Sequence, residues 1–384
     1  MSHSQPLTVT TEDQEILLSE VRRFGEETIR PRILDMDREG KLDPLVLETM
    51  FQMGLMGIEI PEAYGGAGMS FTDAILVIIE LAKVDPSVSV VCDVQNTLCN
   101  NAVHRWGTEE QRRTYLPKLC SETVGAYALS ESGSGSDAFG LRTAARQDGN
   151  GWRLNGSKLW ITNGYEAGLF LVFATVDLSA GYRGITCFLV HKDDPGFKVG
   201  KKEDKLGIRA SSTVELILDD VYCGPERVLG EIGKGYKVAI ETLNEGRIGI
   251  GAQMVGLAKG AIDHAVQWTK ERQQFGKPIA DFQGVQFQLA RAEVLTETAL
   301  LSVLNAAKLK EAGLPFLREA AIAKYWAAHA AEVASSTAVD LFGGYGFVKD
   351  YPVEKLFRDA KIGKIYEGTD NMQLATIAKL MLGK

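Results

Sequence analysis

The sequence predicts an α+β chain: an N-terminal α-helical domain (1–120), a middle antiparallel β-domain (121–229) and a C-terminal helical bundle domain (230–384). Three observations predict it. Apolar residues recur at a spacing near 3.6 in the first and last parts of the chain, the period of a helix with one buried face. In the middle part the pattern changes to short strand-like runs separated by Gly, Asn and Asp turns. No helix-length pattern lies between those runs, so they connect as an antiparallel sheet and not as βαβ units. A length of 384 residues accommodates about two or three domains.

In the first part, residues 11–28 carry helical spacing that ends before Pro31, and residues 44–56 repeat it. A Gly-rich turn follows at Tyr64-Gly-Gly-Ala-Gly-Met. Residues 71–84 form a strongly apolar helix stopped by Asp85-Pro86, and Thr108-Glu-Glu-Gln111 is a capping box opening another. Strand-like runs follow at 152–154, 169–175, 184–191 and 214–218, with 141–146 also extended; Asp148-Gly-Asn-Gly151 and Asn155-Gly156 are turns. The last part holds periodic, Ala-rich segments at 235–274, 282–312 and 316–341, then 353–362 and 371–381, long enough for antiparallel bundle helices.

Composition removes several classes. With 45% apolar and 24% charged residues the chain is an ordinary globular protein, not a disordered or low-complexity one. Mean hydropathy is -0.05, and the longest apolar runs, such as 74–79, are far too short to span a bilayer. A net charge of -8 opposes general nucleic-acid binding but leaves room for a local basic site that takes an anionic small ligand. Cys92, Cys99, Cys120, Cys187 and Cys223 include no CxxC pair, and His3, His104, His191, His264 and His329 have no ligand spacing. Neither a disulfide framework nor a metal site is expected, and a reducing compartment is. The N-terminus shows no secretory or transit signal, which points to a bacterial cytoplasm, or to the mitochondrial matrix for a processed eukaryotic chain.

Five short motifs stand out. Gly133-Ser-Gly135-Ser-Asp-Ala138 matches the GxGxxA dinucleotide fingerprint, but its setting is not strand–turn–helix in a parallel unit. It reads instead as a turn rich in N–H groups and hydroxyls, able to cradle a phosphate or a flavin edge, or as a plain hairpin loop. In Trp160-Ile-Thr162-Asn-Gly, a Trp and a Thr two apart on a strand share a face, where an indole can stack on a planar ring and a hydroxyl can reach a heteroatom. Arg272-Gln-Gln-Phe-Gly-Lys277 combines a bidentate cation, an aromatic and a glycine, which suits a pyrophosphate; alone it reads equally as a basic helix end. Phe342-Gly-Gly-Tyr-Gly346 breaks a helix with glycines that let backbone approach a ligand. Ile365-Tyr-Glu367-Gly-Thr-Asp-Asn371 sets a carboxylate in apolar surroundings just before a helix: a buried Glu is a general base near neutral pH, and the helix start offers N–H groups to anionic oxygens.

In this order and at these separations, Tyr127-Ala-Leu-Ser-Glu-Ser-Gly-Ser-Gly-Ser-Asp137, Trp160-Ile-Thr-Asn-Gly164, Arg272-Gln-Gln-Phe-Gly276, Phe342-Gly-Gly-Tyr-Gly346 and Tyr366-Glu-Gly-Thr369 resemble the acyl-CoA dehydrogenase family over nearly the whole chain. Val94-Gln-Asn-Thr-Leu98, Leu206-Gly-Ile-Arg-Ala-Ser-Ser-Thr213 and Asn244-Glu-Gly-Arg-Ile-Gly-Ile250 look most like its short/branched-chain members. The resemblance implies a C-terminal four-helix bundle, FAD held between it and the β-domain, and a homotetramer built as a dimer of dimers. It implies that Tyr127, Leu129, Ser130, Gly135, Ser136, Trp160, Ile161 and Thr162 line the flavin, Thr162 near N5. Arg272, Phe275, Gln283, Asp340, Leu341, Phe342, Gly343 and Gly344 would reach FAD of a neighbouring subunit, and Thr369, Asp370 and Asn371 the diphosphate region. Ser136, Tyr182, Tyr236, Asn244, Glu245, Gly246 and Arg247 would contact the acyl-CoA. The implied reaction is α,β-dehydrogenation of an acyl-CoA thioester with Glu367 as base, electrons passing to an electron-transferring flavoprotein.

Some relatives carry the base on the earlier helix, immediately before the arginine matching Arg247; here that position is Gly246, and Glu245 lies about 100° further round the helix. Glu367 is therefore the base expected here. Cys92, Gln95, Leu98 and Cys99 are candidate walls of the acyl pocket or plain core. The rival expectations are an acyl-CoA oxidase or nitroalkane-oxidase-like flavoenzyme, and a non-catalytic assembly or binding protein on the same fold.

Overall fold

The computed structural model describes residues 6–383, so His3 lies outside the described residues. The chain opens with α1 (Glu12–Phe24), capped by a Thr11/Gln14 capping box, then α2 (Ile33–Glu39) and α3 (Pro44–Gln52), whose first residue is a proline behind an Asp43 cap. Next comes α4 (Phe71–Val84), with the boundaries the sequence gives and a Ser70/Asp73 capping box. Asp85 ends α4 and caps α5 (Pro86–Asp93), which continues through a wholly buried π-helical stretch, Val94–Asn100, into α6 (Asn101–Trp106). After the expected Thr108 capping box comes α7 (Glu109–Ser121).

The π-helical stretch is polar yet buried because its amides satisfy backbone that would otherwise be stranded in the core. Asn96 accepts the Ile58 N–H at 2.9 Å and donates to the Leu55 carbonyl at 2.8 Å. Gln95 donates to the Leu119 and Thr123 carbonyls at 2.7 and 3.0 Å and accepts the Gly125 N–H at 2.7 Å. Of the four candidate pocket-wall residues, Gln95 is thus spent on joining the helical zone to the sheet.

The sheet contains β1 (Gly125–Ala128), β2 (Ala144–Asp148), β3 (Gly151–Thr162), β4 (Leu169–Thr175), β5 (Ile185–His191), β6 (Phe197–Lys202), β7 (Thr213–Cys223) and β8 (Val228–Leu229). The order is β6-β7-β3-β2-β4-β5-β8, with β1 beside β4. The hairpin-linked strands are antiparallel as expected, but β1 runs parallel to β4, pairing Gly125 with Leu169 through Ala128 with Val172, and β2 also meets β4 in parallel, at Ala144 and Thr175. The reason is connectivity: two other strands intervene between β1 and β4, so no tight hairpin joins them.

The last part comprises α8 (Gly235–Glu271), a small hairpin of β9 (Gln273–Gln274) and β10 (Lys277–Pro278), α9 (Gln283–Glu311), α10 (Leu317–Phe342), α11 (Pro352–Ala360) and α12 (Asp370–Met381). α8, α9 and α10 pack on one another, α4 lies along α8, and α11 and α12 close against α10. One hydrophobic core runs through all three parts. It encloses an ionic joint: Lys355 of α11 lies 3.0 Å from Asp85 and 2.6 Å from Asp359, and Asp359 accepts the Ile208 N–H from the loop before β7. The five cysteines are free and buried.

Candidate active site

The turn before α12 places the key carboxylate. Glu367 and Gly368 both adopt left-handed backbone, with φ of 51° and 82°. For a glutamate this conformation is unfavourable, by about 1 kcal/mol, and needs support from its surroundings. Gln373 supplies part of it, donating to the Glu367 and Gly368 carbonyls at 2.9 Å each, while Lys324 of α10 donates to the Gly368 carbonyl at 2.8 Å. Thr369 caps α12 by accepting the Met372 N–H.

The turn aims Glu367 at α8, where Gly246 leaves it room: a Cβ there would sit 3.0 Å from Glu367 Oε2 and 2.9 Å from Leu98 Cδ2. That Oε2 is buried and has no hydrogen-bond partner among the described residues, and neither has Nε of the adjacent Arg247. Arg247 Nη1 donates to Asn244 Oδ1 at 3.1 Å. Burial pushes the Glu367 carboxyl up to about 7, against the pull of Arg247 and Lys324. One turn further along α8, Gly249 makes way for the Asp93 carboxyl, which a Cβ would overlap. Asp93 is buried, accepts the Thr97 hydroxyl at 2.9 Å and titrates well above the usual carboxylate range, through burial first and then its proximity to Glu367. The site therefore pairs an Asp93 whose burial favours its protonated form with a Glu367 poised to gain or lose a proton near neutral pH.

Glu245 is turned away from this site. It is 1% exposed, accepts from Asn101 at 2.8 Å, pairs with Arg105 and lies 3.7 Å from Lys310. The helical rotation that separates it from Gly246 thus removes it from the group expected to contact substrate. Of the other acyl-CoA residues, Tyr182 and Tyr236 meet edge to face at 4.9 Å and Ser136 is exposed.

A second set of residues forms a face built by the middle sheet. The loop after β1 is anchored from beneath. The Leu129 carbonyl accepts from the buried Lys158 at 3.1 Å and the Ser130 carbonyl accepts the Leu159 N–H at 2.9 Å. The Glu131 carboxylate accepts from Arg142 N–H, Thr143 N–H and Lys158 at 2.7, 2.9 and 2.8 Å. Gly135 and Ser136 stand exposed at the tip, while the Tyr127 hydroxyl is committed to Thr242 at 2.8 Å. Trp160 is 57% exposed at a φ of 65°, Ile161 is buried and Thr162 is partly buried. A bulge between Lys158 and Ile161 interrupts the pairing with β7 at Trp160, and Trp160 and Thr162 are both more exposed than Ile161 between them.

The remaining predicted residues gather elsewhere. Arg272, Leu341, Phe342, Gly343 and Gly344 line a separate pocket of about 550 Å³, with Trp268 stacked on Phe342 at 4.6 Å. Phe275, 92% exposed at the β9–β10 turn, Gln283 and Asp340 lie on the surface, and Asp370 and Asn371 begin α12. Lys158, Lys324, Asp93 and Gln373 escaped the sequence reading. The one available signal was phase: Lys324 falls among Ala320, Ala321, Ala323, Ala327 and Ala328, on a stripe that helical periodicity buries.

An exposed indole on a bulge, an N–H-rich loop tip with no atom near where Gly133 and Gly135 side chains would point, and a partnerless buried carboxylate suit a planar redox cofactor above a proton-abstracting base. They define a flavin-dependent dehydrogenase class. Family models for the acyl-CoA dehydrogenase N-terminal, middle and C-terminal domains match residues 11–123, 126–221 and 233–382. The probable short/branched chain specific acyl-CoA dehydrogenase of Dictyostelium discoideum is 54% identical, over 98% of this chain and 92% of its own length. Butyryl-CoA dehydrogenase from Megasphaera elsdenii superposes with a TM-score of 0.96 at 41% identity, covering 97% of this chain and 99% of that one. A chain from the structure of the electron transferring flavoprotein of Acidaminococcus fermentans, solved towards a mechanism of flavin-based electron bifurcation, gives 0.97 at 40% identity, covering 98% and 100%. The chain belongs to the acyl-CoA dehydrogenase family. It is an FAD-dependent oxidoreductase that dehydrogenates acyl-CoA thioesters.

Proposed function

We propose that this enzyme converts short straight or branched acyl-CoA thioesters to their 2-enoyl-CoA products, with Glu367 as the base. The observation that carries the base assignment is the buried, partnerless Oε2 of Glu367 facing Gly246. The short/branched-chain assignment is supported by the relatives named above.

Glu367 takes the α-proton. A thioester α-proton is weakly acidic, and a carboxylate lifted to about 7 by burial is better matched to it than an ordinary one while remaining available near neutral pH. The Glu367 backbone N–H, on the same left-handed turn, is the donor we assign to the thioester oxygen, where charge develops. Arg247, beside Gly246, orients the acyl-CoA together with Asn244, Ser136, Tyr182 and Tyr236. Leu98, in contact range of Gly246, walls the acyl end. When bound, FAD supplies the acceptor for the hydride leaving the β-carbon. The residues that would hold it are Leu129–Ser136 by their backbone, Trp160 and Thr162 against the ring, and Thr369–Asn371 at the diphosphate.

In a homotetramer built as a dimer of dimers, the pocket of Arg272 and Leu341–Gly344, with Phe275, Gln283 and Asp340 on its approaches, would take FAD of a neighbouring subunit. An electron-transferring flavoprotein would then reoxidise the flavin, a partner suggested by the structural neighbour described with one. We take the functional units as 1–120, 121–229 and 230–384. The same reading assigns the enzyme to a bacterial cytoplasm, or to the mitochondrial matrix for a processed eukaryotic chain; relatives of both origins match over nearly the whole chain.

The test is anaerobic titration of the FAD-loaded enzyme with a panel of acyl-CoAs, following the flavin band near roughly 450 nm. Straight C4 and branched C4–C5 substrates are expected to bleach it fastest. Fastest bleaching by long chains would overturn the substrate class, and rapid reoxidation of the reduced enzyme by oxygen would favour an oxidase.

A further inference from the structure

Lys324 is fully buried in the middle of α10, on an alanine-rich stripe where an alanine or a leucine would pack at no electrostatic cost. Burying an ammonium is expensive unless it is paired and hydrogen-bonded. Its hydrogen bond goes to the Gly368 carbonyl at 2.8 Å, and the nearest carboxylate oxygen in an ion pair with it, Asp370 Oδ1, is 3.7 Å away. Gly368 is the residue next to the base, and its carbonyl also accepts from Gln373 at 2.9 Å. The lysine is therefore aimed at the turn that carries Glu367.

We propose that Lys324 is a positioning residue for proton abstraction: its ammonium pins the left-handed Glu367–Gly368 turn and supplies buried positive charge opposite the carboxylate. The proposal rests on Glu367 being the base. The groups that act on Glu367 come from several elements. Arg247 of α8 and Lys324 are the cations that pull its proton affinity down. Asp93 at the end of α5, Tyr127 of β1 and Tyr366 beside it are the acids, each titrating well above its ordinary range through burial. Asp370, the other neighbour of Lys324, caps the charge from the α12 side. Arg247 lies beside Gly246 on the side where Glu367 keeps its partnerless oxygen, the place proposed above for the acyl-CoA. Lys324 is enclosed by protein, and burial lowers its own pKa to about 8, so it carries its charge at neutral pH and below, where Glu367 titrates. The sign follows: without the Lys324 charge Glu367 holds its proton to higher pH, and the free enzyme loses base at neutral pH.

The experiment compares the pH dependence of kcat/KM, which reports groups of the free enzyme, for the FAD-loaded parent, Lys324→Met, Lys324→Gln and Lys324→Arg, with FAD content and melting temperature measured alongside. The parent is expected to lose activity below a limb near 7. In Lys324→Met and Lys324→Gln the limb moves up by about one pH unit, which lowers kcat/KM at pH 7 about 5-fold. In Lys324→Arg, which keeps the charge, it stays within about 0.3 unit. A limb that coincides with the parent's in the neutral variants, whatever their stability, overturns the proposal and leaves Lys324 a packing residue. If Lys324→Met does not fold, Lys324→Gln, with a shorter polar side chain, carries the same comparison. Failure of the base assignment looks different: Glu367→Gln would then keep near-parental turnover irrespective of Lys324.

Discussion

Two glutamates lie at α8, Glu245 within it and Glu367 across from Gly246, and the contrast is between a carboxylate filled with donors and one that keeps an oxygen without a donor among the described residues. Glu245 and Glu367 are both held above the ordinary carboxylate range, in each case chiefly by burial. Glu245 is surrounded by donors: Asn101, Arg105 and Lys310 bind it, and through Lys310 it is linked to Glu59, 2.6 Å from the same ammonium. Its lone pairs are engaged in joining α6, α8 and α9. Glu367 keeps one buried oxygen with no donor among the described residues, across from a glycine. Burial raises proton affinity in both, but only the second has somewhere to put a proton taken from a ligand.

This contrast is open to attack in four ways, from the largest expected effect to the smallest. The first is stability against pH. Glu367 has a folded pKa raised from its ordinary 4.5 to about 7. Its contribution is therefore fully present below pH 4.5 and lost as pH rises through 7, about 3 kcal/mol at 1.4 kcal/mol per unit. Glu367→Gln lacks this loss, so its denaturation midpoint should overtake the parent's between pH 5 and 8 (roughly the titration window); parallel curves would show that the carboxyl is not strained by burial. Second, Gly249→Ala drives a Cβ into the Asp93 carboxyl and should cost about 2 kcal/mol, read from thermal unfolding. Third, Glu245→Gln weakens the donor-filled cluster and should cost about 1 kcal/mol, with flavin reduction by substrate slowed less than about 3-fold. A large rate loss there would mean that the two glutamates share the work. Fourth, Gly246→Ala replaces a helix glycine by the best helix former, which favours the fold by up to about 1 kcal/mol, while crowding Glu367 and Leu98. It should leave the melting temperature near the parent's yet slow reduction by branched acyl-CoAs several-fold more than by straight ones.

The parts of the molecule legible in the sequence are those governed by local chemistry. α4 and β4 end where the sequence says because Ser70 caps the one, Asp85-Pro86 stops it, and the other is a run of seven apolar or β-branched residues bounded by turns. The turn that carries Glu367 was legible because its motif joins a carboxylate to a helix start. What stayed hidden depends on distant partners. The π-helical stretch looks polar until Ile58, Leu55, Leu119 and Gly125 are brought to its amides. β6, with three lysines in six residues, lacks the apolar signature and becomes a strand only by pairing with β7. The bulge at Trp160 arises from register against β7, which alternation within one strand does not report. For Lys324 helical phase points to burial, but the partners that Lys158 and Lys324 hold, the Leu129 and Gly368 carbonyls, come together only in the tertiary fold.

The most direct test of the central claim is single-turnover reduction of bound FAD by a good acyl-CoA substrate, measured in Glu367→Gln and Glu245→Gln side by side at pH 8, where the parent base is ionised. FAD content should match the parent's in both. Glu367→Gln should slow the bleaching by about 10³-fold or more, the scale of a lost general base, while Glu245→Gln stays within a few-fold of the parent. Near-parental bleaching in Glu367→Gln, or an equal collapse in both variants, would contradict the assignment of proton abstraction to Glu367.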